Sequence, residues 1–295
     1  MNWLEVSVQA DGEAAEAVSE IFNRYCRGGS VVCIDCSLGL ATVKAYLPLD
    51  DGEIRRKLEE ALWHLGQIYP IPDPQFRELA ERDWAAAWKK HYPLMRIGRR
   101  IVVKPPWLEH SPGSEEVVIE LDPGMAFGTG IHPTTQMCLA ELEERLGAGV
   151  RVLDLGTGSG ILAIAAAKLG AAKVLALDTD PIAVEVARAN VIANGVERIV
   201  EVQLGSLGAL DLEPWAFDLM AVNILAEVIV ALVKEGLLTH LERNGLIIAG
   251  GIIETKETEV AAALQRAGLA ITGRRRERDW VTLVGRRDAS LLCTP

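Results

Sequence analysis

The sequence predicts an α/β protein whose larger part is a Rossmann-like seven-stranded sheet, preceded by a small α+β domain. Three observations predict it. From about residue 150 to 286, strand-length apolar runs alternate with helical spacing, which demands a largely parallel sheet covered on both faces. A glycine turn, Gly156-Thr-Gly-Ser-Gly160, joins the first of those strands to a helix opening at Ile161. Finally, Tyr69-Pro-Ile-Pro-Asp-Pro74 places three prolines in five residues and reads as a domain boundary.

The segment up to about residue 75 opens with Trp3-Leu-Glu-Val-Ser-Val8, which alternates like a strand. A helix follows over 12–26, spaced through Ala14, Val18, Ile21, Phe22 and Tyr25. Two short strands near 31–35 and 41–47 and a helix over 51–65 complete a β-α-β-β-α order, consistent with a ferredoxin-like domain. Residues 75–92 are charge-rich with helical character, and Trp84 and Trp88 fall four apart on one face. They read as a linker helix packed on a neighbour, or alternatively as an aromatic recognition stripe.

The third segment spans residues 93–290. Strands at 100–104 and 117–121 precede the loop 122–135 and a helix beginning at Pro133. Then come strand 150–155, helix 161–169, strand 173–178, helix 181–194, strand 199–203, strand 217–222, helix 225–240, strand 245–249 and helix 254–267. A closing hairpin uses 269–276 and 280–286.

Bulk properties narrow the function. The formal net charge is −11, which argues against direct nucleic-acid binding and suits a basic partner. No signal peptide or membrane span is read: the most apolar window, 216–233, is interrupted by Asp218, Asn223 and Glu227. A cytoplasmic protein is expected. Five cysteines without a framework fit a reducing compartment. Cys33-Ile-Asp-Cys36 matches C-x-x-C, but it lies in a strand-like run where positions three apart face opposite ways, and no second pair completes a zinc site. The histidines are scattered, and no metal is expected.

The glycine turn carries the chemistry. Gly156, Gly158 and Gly160 let the backbone turn sharply and approach a ligand that a Cβ would block, while the helix behind them presents free N–H groups. Asp154 precedes the turn. Asp178, ending Val174-Leu-Ala-Leu-Asp178, sits where a carboxylate accepts hydrogen bonds from ribose hydroxyls. The spacing is G-x-G-x-G rather than the G-x-G-x-x-G of dinucleotide sites, which favours S-adenosyl-L-methionine over NAD. Asn223 ends a strand at the sheet's carboxyl edge, where ligands of open α/β sheets bind. There it serves either as acceptor for an amine nucleophile or as N-cap of the following helix. The loop before Thr135 reads as a lid, with Phe127 over the cofactor and Thr135 bonded to it, or as an ordinary surface loop. His132 is either a proton acceptor near the reacting centre or structural.

Asp122-Pro-Gly-Met-Ala-Phe-Gly-Thr-Gly-Ile-His-Pro-Thr-Thr135, Leu153-Asp-Leu-Gly-Thr-Gly-Ser-Gly-Ile-Leu-Ala163 and Asn223-Ile-Leu-Ala226 together resemble the PrmA family, methyltransferases of large-subunit ribosomal protein eleven. The likeness covers nearly the whole chain, from Trp3-Leu-Glu-Val to Trp280-Val-Thr-Leu-Val-Gly. It implies a class I S-adenosylmethionine-dependent methyltransferase fold, in which Thr135, Gly156, Asp178 and Asn223 contact the cofactor. It also implies that residues 1–75 grip the ribosomal protein, and that lysine ε-amino and N-terminal α-amino groups are trimethylated. One departure is Ile131, where the family usually carries a second threonine. Two rival classes stay open: a Rossmann-type oxidoreductase and a nonenzymatic binding protein of decayed methyltransferase fold.

Overall fold

The computed structural model describes residues 3–10, 12–26, 30–35, 40–48, 52–67, 69, 71–79, 93–121, 130–209 and 217–287. The chain divides into two compact units, residues 1–92 and 93–295.

In the first unit, β1 (Trp3–Ala10), α1 (Gly12–Tyr25), β2 (Ser30–Asp35), β3 (Leu40–Pro48), α2 (Gly52–Gly66) and β4 (Gln75–Leu79) follow in order. The antiparallel sheet runs β2-β3-β1-β4. Alternation along β1 turns Leu4, Val6 and Val8 onto Val18 and Phe22 of α1 and Leu58 and Leu62 of α2. On the opposite face, the Glu5 carboxylate accepts from Lys44 Nζ at 3.3 Å and from the Tyr46 hydroxyl at 3.1 Å. Strand β4 corrects the sequence reading. Gln75–Leu79 is not the start of a linker helix; it pairs antiparallel with β1, Trp3 opposite Leu79 and Ser7 opposite Gln75. Its composition is not strand-like, so the ladder with β1 overrides local propensity. Trp84, Trp88 and Cys36 lie outside the described residues.

The second unit begins with a three-stranded sheet, β5 (Met95–Ile97), β6 (Ile101–Lys104) and β7 (Val117–Glu120). Its β5–β6 turn is held by the buried Glu143 carboxylate of α3 (Pro133–Arg145), which accepts from the Arg99 and Arg100 amides at 2.7 and 2.8 Å. Then come β8 (Arg151–Leu155), α4 (Ile161–Lys168), β9 (Lys173–Asp178), α5 (Pro181–Ala193), β10 (Val200–Leu204), β11 (Phe217–Asn223), α6 (Ala226–Lys234), β12 (Leu241–Ile253), α7 (Glu257–Arg266), β13 (Leu269–Glu277) and β14 (Trp280–Arg287). The expected helix over 225–240 stops at Lys234. Gly236 turns left-handed at φ 100°, and Leu237–His240 form a short 3₁₀ turn.

The seven strands order as β10-β9-β8-β11-β12-β14-β13, with β14 alone reversed. This is the expected Rossmann-like sheet of seven strands. Alternation buries both faces. Val152, Leu219 and Ala221 pack on one side with Leu139, Ile164 and Val184. Leu153, Leu155, Met220 and Val222 pack on the other with Ile229 and Val260. The chain runs outward from β8 to β10 and then returns to lay β11 beside β8. A crevice therefore opens at the carboxyl ends of β8 and β11, where sheets of this kind bind ligands. Among the described residues, no helix is long and apolar enough to cross a membrane.

Candidate active site at the carboxyl edge of the sheet

At the end of β8, Gly156, Gly158 and Gly160 all adopt left-handed φ, at 76°, 56° and 84°. A side chain with a Cβ is strained there. The Gly156 and Thr157 amides both donate to the Leu177 carbonyl at 2.9 Å, which ties the turn to β9. The three glycines do different work. A Cβ on Gly156 would meet Ile224 Cγ2 at 2.3 Å, and one on Gly160 would meet the Ala187 Cβ of α5 at 3.3 Å. Gly160 also heads α4 without any side-chain cap.

Asp178 closes the turn from β9. Its Oδ2 accepts from the Gly158 amide at 2.8 Å and its Oδ1 from the Asp180 amide at 3.0 Å. A carboxylate offers about four lone-pair sites, so acceptor capacity remains for a diol. Asp154, 1% exposed, accepts at Oδ2 from the Thr157 hydroxyl at 2.7 Å and from the Ala163 amide at 3.0 Å. Its Oδ1 is buried with no partner. Burial, the largest effect, and then nearby Asp178 push its pKa up to about 6 against those two bonds. A cationic ligand would relieve that penalty.

Asn223, on β11, faces the same crevice. Its Nδ2 donates to Thr135 Oγ1 at 3.3 Å, in the first turn of α3. Its Oδ1 is buried and unpartnered. The N-cap of α6 is Leu225, which makes no side-chain cap bond, so the capping alternative for Asn223 falls. Gly250 and Gly251 in β12, which the sequence reading did not single out, make the neighbourhood possible. A Cβ on Gly250 would meet Asn223 Oδ1 at 2.7 Å, and one on Gly251 (φ 75°) would meet the Ile224 carbonyl oxygen at 2.2 Å. A glycine pair inside a strand signals such close approach. Next to Gly250, the Cys138 thiol is buried, with its pKa pushed up to about 12; it stays protonated and inert.

His132 caps α3. Its Nδ1 accepts from the Thr134 amide at 3.3 Å and lies 2.8 Å from the Thr134 hydroxyl. Its ring meets Trp280 edge-on, centroids 4.7 Å apart. Burial lowers its pKa against the pull of Glu277, which favours the neutral imidazole. The Nδ1 lone pair is thus used by the helix. Phe127 lies outside the described residues. Hydrogen bonds or strand pairing link Asp154, the three glycines and Asp178 into one set, and Thr135 with Asn223 into a second across the β8–β11 switch point.

The polar set fits an adenosyl cofactor with cationic groups: a strand-end carboxylate with acceptor capacity left, a left-handed glycine turn and an orphaned buried carboxylate oxygen. Comparison with known proteins points the same way. The model of the family described as ribosomal protein L11 methyltransferase (PrmA) matches residues 2–288. A relative from Chloroflexus aurantiacus with that name is 48% identical, covering 97% of this chain and 98% of its own. Another from Herpetosiphon aurantiacus is 42% identical, covering 97% and 99%. The crystal structure of a ribosomal protein L11 methylase from Lactobacillus delbrueckii subsp. bulgaricus is 36% identical. It aligns with a TM-score of 0.61 over 66% of this chain and 98% of that one.

Proposed function

This chain belongs to the ribosomal protein L11 methyltransferase (PrmA) family, and from that premise we propose that it methylates amino groups of large-subunit ribosomal protein eleven with S-adenosyl-L-methionine. The groups modified are lysine ε-amines and the N-terminal α-amine, each carried to the trimethylated state. The observation that carries this reading is the buried, unpartnered Asn223 Oδ1 at the switch point, an acceptor with nothing yet to accept.

Asp178 would hold the ribose, Gly156, Gly158 and Gly160 the turn around it, and Asp154 the cationic end of the cofactor. Thr135, in the first turn of α3, would bond to the cofactor from the lid side. When bound, S-adenosylmethionine supplies a methyl group already activated on a sulfonium. The protein's task is then to position a neutral amine. A free lysine has a pKa of about 10.4, and desolvation beside a positive charge lowers it. Asn223 Oδ1 accepts one amine hydrogen, which turns the nitrogen lone pair toward the methyl. Thr135 holds the carboxamide in that orientation. His132, its pKa lowered by burial and its Nδ1 engaged as a helix cap, would act through its structure rather than as a proton acceptor.

The first unit carries none of the cofactor residues, and its role is recognition of the basic ribosomal protein. The test is mass spectrometry of the purified ribosomal protein after incubation with enzyme and S-adenosylmethionine. Successive methyl increments on several amines are expected, and an unmodified protein would refute the assignment. Because β4 completes the first sheet, the matching truncation begins at Pro93, not at Gln75. That shorter chain should bind S-adenosylmethionine yet leave the ribosomal protein unmodified. Full modification by it would remove recognition from the first unit.

A further inference from the structure

Asn223 orients an amine only if its strand end is held rigidly against the cofactor turn, and the next residue supplies the hold. We propose that Ile224 is a positioning residue, clamped between two left-handed glycines, that fixes the amine-accepting Asn223 relative to the cofactor-binding turn.

On one side, Ile224 Cγ2 occupies the space where a Gly156 Cβ would project, 2.3 Å from its ideal position. On the other, the Ile224 backbone fills the place of a Gly251 Cβ: its carbonyl oxygen, carbon and nitrogen lie 2.2, 2.8 and 3.0 Å from it. Both glycines are left-handed, at φ 76° and 75°, so each position is reserved twice, by conformation and by space. Gly156 is in turn tied to β9 by its bond to the Leu177 carbonyl at 2.9 Å, one residue before Asp178. A continuous path therefore runs from the ribose carboxylate through Gly156 and Ile224 to Asn223. The space beside Gly156 is thus reserved by a protein contact, Ile224, in addition to its left-handed conformation.

The inference rests on the reading of Asn223 given above, and the test separates the two. In the full-length enzyme, Ile224→Ala should lower kcat for protein methylation tenfold or more while S-adenosylmethionine Kd changes less than threefold. Ile224→Val keeps the Cγ2 branch and should restore kcat to within about twofold. In an Asn223→Ala background, Ile224→Ala should cost nothing further, since the group it positions is gone. An equal additional loss there would overturn the positioning role. If Asn223→Ala alone leaves kcat intact, the Asn223 reading falls, and the clamp stands or falls by itself on a second measurement. That measurement is epistasis at the contact: Gly156→Ala should weaken S-adenosylmethionine binding and lower Tm, and adding Ile224→Ala should recover part of both. Losses that merely add would show that no clamp exists. Should Ile224→Ala fail to fold, Ile224→Met, equal in bulk but unbranched at Cβ, carries the same comparison.

Discussion

The two ends of the seven-stranded sheet are built from the same strands and treat polarity in opposite ways. At the amino ends, charge is answered on the spot. The Asp218 carboxylate accepts from the Arg151 amide at 2.8 Å, Arg151 Nη2 reaches Glu242 at 2.8 Å, and Lys173 pairs with Glu201 at 3.7 Å. At the carboxyl ends, Asp154 Oδ1 and Asn223 Oδ1 are buried with no partner, and five glycines at the edge hold left-handed φ or close contacts. An unmade hydrogen bond on a buried acceptor costs about 1–3 kcal/mol. Among the described residues the carboxyl edge bears that cost twice, against the single orphaned His240 Nδ1 just ahead of β12 on the amino side, and ligand chemistry is the compensating gain at the carboxyl edge.

Substitutions at the two edges should therefore differ in kind. The largest effect is expected from Gly158→Val, which puts a β-branched side chain at φ 56°. S-adenosylmethionine binding should vanish in calorimetry; a valine enzyme of normal affinity would show that the turn cradles nothing. Next comes Asp178→Ala. Charge-assisted hydrogen bonds contribute roughly 1.5–3 kcal/mol, so the dissociation constant should rise tens-fold or more. Because Asp178 also accepts from the Gly158 and Asp180 amides, Asp178→Asn should recover part of the loss. An unaltered constant in both variants would remove the ribose assignment.

The third test uses pH. The Asp154 carboxyl, raised to about 6 in the folded chain, has an ordinary value of about 3.9 when unfolded. Between those values the native state binds the extra proton, so stability is greatest at the acid end and declines as pH rises toward 6. Two units correspond to about 3 kcal/mol. Asp154→Asn should flatten that part of the Tm profile. It should also remove the weakening of S-adenosylmethionine binding expected in the wild type on acidification below pH 6. A profile identical to wild type would mean that the Asp154 carboxyl is not raised above its unfolded value. The smallest effect belongs to the opposite edge. Glu242→Ala breaks a part-exposed pair with Arg151, a contact worth less than about 1 kcal/mol, and cofactor affinity should not move. If it moves as far as in Asp178→Ala, the contrast between the edges is lost.

The sheet and one side of its site were legible because each rests on local signals. Strand-length apolar runs, helical spacing and G-x-G-x-G lie within short windows, and Asp178 follows them at a fixed distance. What escaped depends on partners distant in the chain. Gln75–Leu79 is a strand only because β1 lies alongside it. Gly250 and Gly251 acquire meaning only from Asn223 and Ile224 on the next strand. The sequence leaves His132 open between proton acceptor and structural residue, and only the Thr134 amide in place reveals that its Nδ1 serves the start of a helix. The strand-end position of Asn223 alone points it to the crevice, and the competing cap of α6 is supplied by no side chain at all.

The pairing of Trp3 with Leu79 has a practical consequence for topology. Neighbouring strands lie about 4.8 Å apart, so Trp3 and Leu79, the first and last residues of the described four-stranded sheet, adjoin. A unit with adjoining ends behaves as a cassette, and such modules tolerate circular permutation and insertion into other chains. New ends opened between β2 and β3, with the old ones joined by a short glycine–serine bridge, should preserve the β2-β3-β1-β4 order.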